Sequence, residues 1–339
     1  MHDTPAERSP TVIALDAMGG DRAPAEIVAG GLRAVEELGV EVLLVGDPER
    51  LRVHLPGGVP PPGASVLAAH EVVGMGDEPA AAVRSKRDSS IVRAAEAVRD
   101  GRADAMVGAG NTGATMAAAL LRTGRLPGIA RPAIAVPLPI PGDARMQLLV
   151  DGGATVDPEP AWLVQWAHLG REYARVRLGI DEPTVALLSN GEEPGKGDAL
   201  RKAAYELLSE VKGFVGNVEG RDLSRPSADV IVTDGFTGNV ALKTLEGSML
   251  GIATLVLSVL DAPELGEAGP VAKQLLLGAA AHMLPDNTGG AVLLGIKGVC
   301  VISHGSSSST AIVNAIRVAR DTSGAGVVAR LAEVVGHAG

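Results

Sequence analysis

The chain has few aromatic side chains, two each of Trp, Tyr and Phe among 339 residues, and a single cysteine. Apolar residues nevertheless make up 46% of it. The core must therefore be built from Ala, Val, Leu and Ile, as when helices pack over a parallel sheet. The lone Cys300 excludes an internal disulfide and fits a reducing compartment. Its apolar neighbours, Val299 and Val301, indicate a role in strand packing.

Clustered positive charge is also lacking. The formal net charge is −10, and nucleic-acid binding depends on clustered Lys and Arg, so a nucleic-acid partner is excluded. The N-terminus lacks the apolar segment of a signal peptide, which predicts a cytoplasmic protein, and residues 1–10 are expected to be flexible. The uncharged apolar stretch Gly247 to Leu260 is shorter than the roughly 20 apolar residues that cross a bilayer, so no integral membrane protein is expected.

What the chain does contain is a repeated alternation of strand and helix. A strand over residues 11–15, a helix over 24–38 that ends at Gly39, and a strand over 40–45 form a βαβ unit with parallel strands. Further strands are predicted at 105–107, 133–136, 146–150, 184–188, 229–232 and 299–302. Further helices are predicted at 90–99, 112–122, 161–176, 198–211 and 308–320. This pattern predicts a three-layer α/β/α fold with a mostly parallel, doubly wound sheet, as one catalytic domain over residues 11–339.

Residues 240–284 differ from this pattern. The first helix there has apolar residues on nearly all sides, among them Leu242, Leu245 and Met249, so it requires burial almost all round. It is expected to be part of the core, a dimer interface or a membrane-facing segment. The scarcity of basic residues before Lys273 favours the first two over contact with anionic headgroups.

Five strand-to-helix connections contain glycine and polar residues. In an open parallel sheet, ligands bind beyond the carboxyl ends of the strands, where helix N-termini present free N–H groups. Glycine in one such loop could serve only a turn or a cap, but five together favour a phosphate-sized anion as the ligand. The best single candidate is Gly110, Asn111, Thr112 and Gly113. The five segments are Asp16–Asp21, Gly108–Gly113, Ser189–Gly197, Thr233–Asn239 and Ser303–Thr310.

Sequence motifs for nucleotides and metals do not occur. Gly19 and Gly20 do not extend to GxGxxG, and Lys196 lacks the GxxxxGK[ST] spacing. No CxxC, HExxH or EF-hand spacing occurs either, so no metal and no cofactor is expected.

Eight segments in order resemble the PlsX family over roughly residues 11–320. These segments are DAMGGD (16–21), GNTGA (110–114), GEEPGKG (191–197), NVEG (217–220), DGFTGN (234–239), LKTLEG (242–247), GGAVLLG (289–295) and HGS (304–306). Asp151–Thr155, DGGAT, stands where the family has a DxGAN-like segment.

The resemblance implies an acyl-ACP:phosphate acyltransferase. In that reaction inorganic phosphate attacks the thioester of acyl carrier protein, and the acyl phosphate formed feeds phospholipid synthesis. The resemblance also implies a homodimer with a fold like that of phosphotransacetylases and isocitrate-type dehydrogenases, and peripheral membrane association in some members.

This chemistry needs no nucleophilic Ser or Cys, because the phosphate dianion is itself the nucleophile at neutral pH. Orientation and fixed N–H dipoles are the larger requirement. Phosphate is expected to bind Gly19 and Gly20 with residues 110–113. Lys196 and His304 are the candidates for phosphate binding and proton donation, with Asp234 and Asn239 to orient them. Lys196 has an alternative as a solvated loop lysine, and His304 has one as a structural histidine. Asp16, Asp21, Glu192 and Glu193 are candidates for helix caps.

An acidic enzyme that binds an acidic carrier protein needs a local basic patch. Two groupings are candidates, residues 84–87 with Arg93, or Arg122 with Arg125 and Arg131. The expected docking residues are Lys86, Arg87, Arg122 and Arg125.

Three other functions stay open on the sequence alone. A phosphotransacetylase-like enzyme would take acyl-CoA instead of acyl-ACP. A metal- and NAD-dependent decarboxylating dehydrogenase would share the architecture, but Tyr173 and Tyr205 both fall inside predicted helices. A phosphate-binding regulatory module would show no turnover.

Overall fold

The computed structural model describes residues 10–143, 145–283 and 285–337. Residues 1–9 of the expected flexible N-terminus, and Leu284 at the end of the segment 240–284, lie outside the described residues. The strands are β1 Val12–Asp16, β2 Glu41–Gly46, β3 Ala64–Ala68, β4 Ala105–Gly108, β5 Ala133–Pro139, β6 Met146–Val150, β7 Val185–Leu188, β8 Phe214–Val218, β9 Val230–Val232, β10 Ala291–Leu294 and β11 Val299–Ile302. The α-helices are α1 Ala25–Leu38, α2 Pro48–Arg52, α3 Pro79–Ser85, α4 Ser90–Arg99, α5 Thr112–Thr123, α6 Pro160–Arg177, α7 Ala199–Leu208, α8 Gly235–Leu260, α9 Ala268–Ala280, α10 Pro285–Thr288, α11 Ser309–Gly324 and α12 Val327–His337.

The chain forms two compact units. The first unit comprises the residues up to Gly124 together with Lys297–Gly326. Its strands lie in the order β3-β2-β1-β4-β11, and every neighbouring pair is parallel. Helices α1 and α11 pack on each other, as do α4 and α5. Ile13, Leu15 and Met106 are fully buried at the centre of this sheet. This unit has the parallel α/β organisation that the sequence predicts.

The second unit comprises Arg125–Ile296 and the residues from Val327 onward. Its strands lie in the order β10-β5-β6-β9-β7-β8. Strand β5 is antiparallel to both its neighbours, β10 and β6, whereas the pairs from β6 to β8 are parallel. Helix α6 packs on β6 and β9 and buries Trp166 completely. The predicted three-layer, mostly parallel α/β architecture is confirmed.

Glycine permits the close packing of α1 on α11 in the first unit. A Cβ atom at Gly30 would lie 2.6 Å from Cβ of Ile312 and 2.7 Å from the carbonyl oxygen of Ser309. Both distances are shorter than van der Waals contact, so the two helices could keep this separation only with hydrogen at that position.

Replacing Gly30 with alanine is expected to destabilise the protein by about 1–3 kcal/mol, because the added methyl group forces the helices apart. The matched control is Gly324→Ala at the end of α11, where a Cβ meets no atom within 4 Å. That substitution should stabilise the helix by up to about 1 kcal/mol. Urea denaturation measures both free energies of unfolding, and equal effects of the two changes would contradict the packing argument.

Helices α8 and α9 form a hairpin on the second unit, and most of its apolar side chains are exposed. Only the first turns of α8 are packed, through Gly235, Gly238 and Leu242. Leu250 and Leu275 are each 70% exposed. The expectation that this segment belongs to the core is therefore wrong for most of its described residues, although Leu242 is part of a core cluster. Helix α8 is long and apolar enough to cross a bilayer by length and composition alone. The other strongly exposed apolar residues of the hairpin are Ile252, Leu255, Val259 and Val271.

Candidate active site

Three of the five predicted loops lie together in the first unit. They follow β1, β4 and β11, which are neighbours in the sheet. The amide of Asp21 donates to the carbonyl oxygen of Gly305 at 2.8 Å. A Cβ atom at Gly19 would lie 3.1 Å from Cα of Gly110. The loops after β1, β4 and β11, here called the anion loops, are therefore in backbone contact with each other.

The glycines of the first anion loop have a packing role of their own. Gly20 has a φ of +113°, and a Cβ there would lie 2.8 Å from the carbonyl oxygen of Ala109 and 3.1 Å from that of Gly305. Side chains rarely adopt this φ, and none would fit between the two carbonyls. Contact of Gly19 and Gly20 with phosphate stays a prediction, since close packing already accounts for both residues.

Asn111 caps α5. Its Oδ1 accepts from the amide of Ala114 at 3.0 Å. Its Nδ2 donates to the carbonyl oxygens of Gly74 at 3.3 Å, Met75 at 3.2 Å and Asp77 at 3.3 Å. The side chain thus ties the segment 74–77 to the helix, and its direct contact with phosphate stays a prediction.

The start of α5 still has donors for an anion. The first four amides of a helix have no partner within it. Here the Asn111 side chain accepts a hydrogen bond from the amide of Ala114, and the Asn111 carbonyl oxygen accepts one from the amide of Thr115. In the described part of the chain, the amides of Thr112 and Gly113 have no protein acceptor. These two amides, the exposed Thr112 hydroxyl and the positive end of the helix dipole together suit an oxyanion.

Asp16 does not cap α1, because Pro24 stands at that position. The Asp16 side chain is 3% exposed. Burial raises the pKa of this carboxyl, against hydrogen bonds from Ser90 and from the Met18 and Gly19 amides. Its contacts hold the first anion loop in shape.

His304 lies in the third anion loop, after β11, and is exposed. Its carbonyl oxygen accepts from the amide of Ser307 at 3.1 Å and from the Ser307 hydroxyl at 2.6 Å. That hydroxyl also lies 2.8 Å from the hydroxyl of Ser303. The loop is therefore fixed by serine contacts to the backbone, while the imidazole is accessible to a ligand. Proton donation by His304 stays a prediction.

Lys196 lies in the second unit, in the loop after β7. Its side chain is half-exposed, and Nζ is 4.0 Å from Oε2 of Glu193. The expectation that Glu192 and Glu193 cap a helix is wrong. Glu192 instead pairs with Arg221 at 2.9 Å, and Asp198 caps α7. The lysine is thus accessible and carries a charge that Glu193 balances only weakly.

Arg201, in the first turn of α7, is a buried arginine that the sequence did not single out. It is 7% exposed. Its Nε donates to the carbonyl oxygen of Leu188 at 3.2 Å, and Nη1 donates to Asp198 at 2.8 Å. Nη2 donates to the carboxylate of Asp234 and, at 3.0 Å, to the hydroxyl of Thr237. One side chain thus joins the end of β7, the start of α7 and the start of α8.

Asp234 caps α8 by accepting from the amide of Thr237 at 2.8 Å. Burial raises its pKa, but the hydrogen bonds from Thr237 and Arg201 outweigh burial and leave the pKa below 3.8. The structure therefore pairs Asp234 with Arg201, and the predicted catalytic role of Asp234 stays a prediction.

Asp151 is another buried carboxylate, and the sequence assigned no role to it. It follows β6 and is fully buried. Its carboxylate accepts from the amides of Ile134 and Ala154 at 2.9 Å and of Thr155 at 2.7 Å. Burial raises its pKa to about 6, against these amide donors. Asp151 thereby fixes the segment 151–155 whose family equivalent ends in Asn.

The loop after β9 packs on that segment. The amide of Gly235 donates to the carbonyl oxygen of Thr155 at 2.7 Å. A Cβ at Gly153 would lie 3.4 Å from Cβ of Asn239, the remaining predicted catalytic residue. Asn239 is therefore held beside the loop that Asp151 organises, and its orienting role stays a prediction.

The predicted docking residues have different surroundings. Lys86 is held by Asp77 at 2.5 Å and by the carbonyl oxygen of Val72 at 3.0 Å. Arg125, in the second unit, donates to the carbonyl oxygen of Ala130. Arg87 and Arg122 line one cavity in the first unit. Lys86 and Arg125 thus already have partners within the chain.

Cys300 is buried in β11, which confirms its packing role. Burial raises the pKa of its thiol to about 12. A thiol with that pKa is protonated at neutral pH and is a poor nucleophile.

Replacing Cys300 with alanine should therefore leave kcat within about twofold of the wild type, since no covalent step passes through the thiol. In the folded enzyme, iodoacetamide should not label this cysteine, as intact-mass measurement would show. Rapid labelling with parallel loss of activity would contradict the assignment.

The fold is shared with solved acyltransferases. A phosphotransacetylase from Streptococcus pyogenes superposes with a TM-score of 0.61 at 16% identity, over 93% of this chain and 94% of that one. A branched-chain phosphotransacylase from Enterococcus faecalis V583 gives a TM-score of 0.59 at 17% identity, over 92% and 99% of the two chains. These identities are low, so the likeness defines the class of fold, which is phosphotransacetylase-like.

Sequence similarity defines the family. A family described as "Fatty acid synthesis protein" matches residues 11–330. The "Phosphate acyltransferase" of Desulfitobacterium hafniense strain Y51 is 49% identical over 312 residues, 91% of this chain and 92% of that protein. The protein of the same name from Nostoc punctiforme is 46% identical over 312 residues, 91% and 92% of the two chains. The chain belongs to this family, the PlsX family that its motifs resemble, and is an acyltransferase of fatty acid and phospholipid synthesis.

Proposed function

We propose that this acyltransferase moves a fatty acyl group from acyl carrier protein to inorganic phosphate and forms an acyl phosphate. The observation that carries the proposal is the start of α5, where the amides of Thr112 and Gly113 and the Thr112 hydroxyl have no hydrogen-bond partner among the described residues. A phosphate dianion fits this arrangement of donors. Because the donors are already in place, they stabilise negative charge without reorganising during the reaction. Membership of a phosphate acyltransferase family supports the same substrate.

In the proposed reaction a phosphate oxygen attacks the thioester carbonyl carbon. A C–O bond forms, the C–S bond breaks, and the thiolate leaves with the bonding electrons. His304 donates a proton to the thiolate, and the start of α5 holds the phosphate. Because thiols ionise near pH 8.5, the leaving group needs little assistance. The main work of the enzyme is to hold the anion against the carbonyl.

Donor preference tests this proposal against the acyl-CoA alternative, which the phosphotransacetylase-like fold keeps open. Release of free thiol would be followed with long-chain acyl-ACP and with acyl-CoA, each with and without phosphate. We expect phosphate-dependent release that is faster by about two orders of magnitude with acyl-ACP, because carrier contacts add binding energy. Equal or faster release from acyl-CoA would reject the carrier protein as donor, and no phosphate dependence would reject phosphate as acceptor.

The proposal includes a homodimer that forms through the α8–α9 hairpin. Its exposed apolar side chains, among them Leu250, Ile252, Leu255 and Leu275, form a surface of the kind that marks an interaction site. Its two lysines are each paired, Lys243 with Glu246 at 2.8 Å and Lys273 with Asp261 at 2.8 Å. The face therefore offers no spare positive charge to anionic lipid, which favours a second copy of the chain over a membrane surface. Peripheral contact of a cytoplasmic dimer with membrane lipid is the weaker alternative.

The double substitution Leu250→Glu and Leu275→Glu is expected to convert the dimer to a monomer, because each partner would bury unpaired carboxylates. Sedimentation velocity gives the oligomeric state, and flotation with anionic vesicles tests the alternative. The matched control is Leu207→Glu, an exposed leucine of α7 outside the hairpin. A wild-type monomer, or a dimer that survives the double substitution, would contradict the interface.

A further inference from the structure

A cavity of about 380 Å³ opens in the first unit between α3, α4 and α5. It is away from the anion loops, because it lies against the end of α5 and not its start. Its lining carries three guanidinium groups, one carboxylate and two apolar side chains. The lining residues are Val83, Arg84, Arg87, Glu96, Leu121 and Arg122.

Positive charge exceeds negative charge in this cavity. Glu96, its only carboxylate, is shared by three arginines, with Arg93 at 3.3 Å, Arg122 at 3.4 Å and Arg99 at 4.0 Å. Arg122 Nε is buried and has no hydrogen-bond partner within the described chain. The cavity can therefore accept further negative charge.

Arg84 and Arg87 provide most of the excess positive charge in the cavity. Both are exposed, and neither side chain has a hydrogen bond or an ion pair to any residue that the structure describes. The protein carries a formal net charge of −10. Two arginines without acidic partners at one opening therefore make a local region of positive charge on an acidic protein. Guanidinium groups bind carboxylates in a planar, bidentate geometry that lysine cannot match.

The openness of the site favours a protein partner over a small anion. Leu121 is 47% exposed at the cavity, and the two free arginines are exposed as well. A small ligand is usually buried over most of its surface, which this cavity would not do. An acidic protein surface with an apolar side chain could contact Leu121 and the arginines together, since interfaces combine an apolar centre with charged groups around it.

The geometry of α5 relates the cavity to the anion loops. Thr112 begins the helix and Arg122 lies ten residues later. At 1.5 Å per residue the two positions are about 15 Å apart along the helix axis. A partner docked on the cavity could therefore deliver an acyl thioester to the start of α5 only on an extended arm.

We propose that the cavity lined by Arg84, Arg87 and Arg122 is the docking site for the acidic surface of the acyl carrier protein. This inference rests on the proposed function, which names the carrier as acyl donor. Arg84 takes the place of Lys86 in the docking set, because Lys86 is neutralised by Asp77. The local positive charge guides an acidic carrier to an enzyme whose overall charge would repel it.

Titration of fluorescently labelled acyl-ACP into the full-length enzyme tests the docking site without requiring turnover. The double substitution Arg84→Glu and Arg87→Glu is expected to weaken the Kd by at least about tenfold and to flatten its dependence on salt. Lysine at both positions should weaken the Kd less than glutamate does, because the charge remains although the bidentate geometry is lost. The matched control Arg102→Glu, an exposed arginine of the same unit, should change the Kd by less than about twofold.

Steady-state kinetics supplies the second readout. The double glutamate variant should raise KM for acyl-ACP with kcat nearly unchanged, because docking precedes the chemical step. A Kd equal to that of the wild type, or equal weakening by Arg102→Glu, would overturn the docking site. Loss of phosphate affinity with carrier binding intact would assign the cavity to a small anion and also overturn it. Tight carrier binding without acyl phosphate would reject the proposed function alone.

Discussion

Replacing Thr112 with glutamate is expected to lower kcat/KM for phosphate by at least about 100-fold, or about 2.7 kcal/mol of transition-state stabilisation. The carboxylate would occupy the start of α5 and repel the phosphate dianion. The same change should leave the fold intact, because an acidic side chain in the first turn stabilises a helix by about 0.3–1 kcal/mol. Activity and stability are thus predicted to move in opposite directions.

Two further variants separate charge from shape at this position. Thr112→Ser keeps the hydroxyl and should retain activity within about threefold, whereas Thr112→Gln keeps the length of glutamate without its charge and should lie between the two. Initial rates at varied phosphate and thermal unfolding of each variant are the measurements. If Thr112→Glu remained as active as Thr112→Gln, the start of α5 would not be the phosphate site.

Replacing Arg201 with methionine is expected to lower the free energy of unfolding by about 3–5 kcal/mol, because it leaves the carboxylate of Asp234 buried without its partner. Both side chains are more than nine-tenths buried in the wild type, at 9% and 6% exposure. Adding Asp234→Asn should recover much of the loss, since asparagine also caps a helix and carries no charge. Urea denaturation of the single and double variants measures the difference.

The pH dependence of the same variants gives an independent check. The pKa of Asp234 is below its ordinary 3.8 in the folded protein. Its contribution to stability is therefore present above pH 3.8 and is lost as the pH falls through the folded pKa. The difference in free energy of unfolding between the wild type and Arg201→Met should accordingly become smaller below about pH 4. A difference that does not change with pH, together with no recovery in the double variant, would show that the ion pair is not what holds these loops.

The central strands of the fold could be predicted because both faces of each are buried. Strands β6 and β11 and helix α4 begin and end at the predicted residues. Such segments give continuous apolar runs or clear helical spacing, and their tertiary surroundings reinforce the local preference.

The strands that were missed have weaker local signals. Strands β3 and β8 are the edges of their sheets and are only partly buried, so their sequences ASVLA and FVGNV lack a continuous apolar run. Strand β10, with the sequence AVLL, was not predicted either, and it pairs antiparallel with β5. The antiparallel setting of β5 is decided by long-range pairing, which no local pattern contains.

Part of the candidate site could also be predicted from the sequence. Glycine loops after β1, β4 and β11 could be placed at one sheet edge because parallel neighbours end together. Arg201 was missed because its partners Thr233, Asp234 and Thr237 lie 32 to 36 residues away in sequence. One signal was present: Arg201 shares the buried face of α7 with Ala204 and Leu208, at spacings of three and seven residues. An arginine on an apolar helical face indicates a buried charged partner.

The most direct test of the whole account is to follow labelled inorganic phosphate in a reaction with long-chain acyl-ACP. Label should enter an acyl phosphate that partitions into organic solvent, in an amount equal to the free carrier protein released. With Thr112→Glu enzyme at limiting phosphate, the initial rate of label entry should be at least about 100-fold lower. Release of carrier protein without label in any acyl product would contradict phosphate as the acyl acceptor.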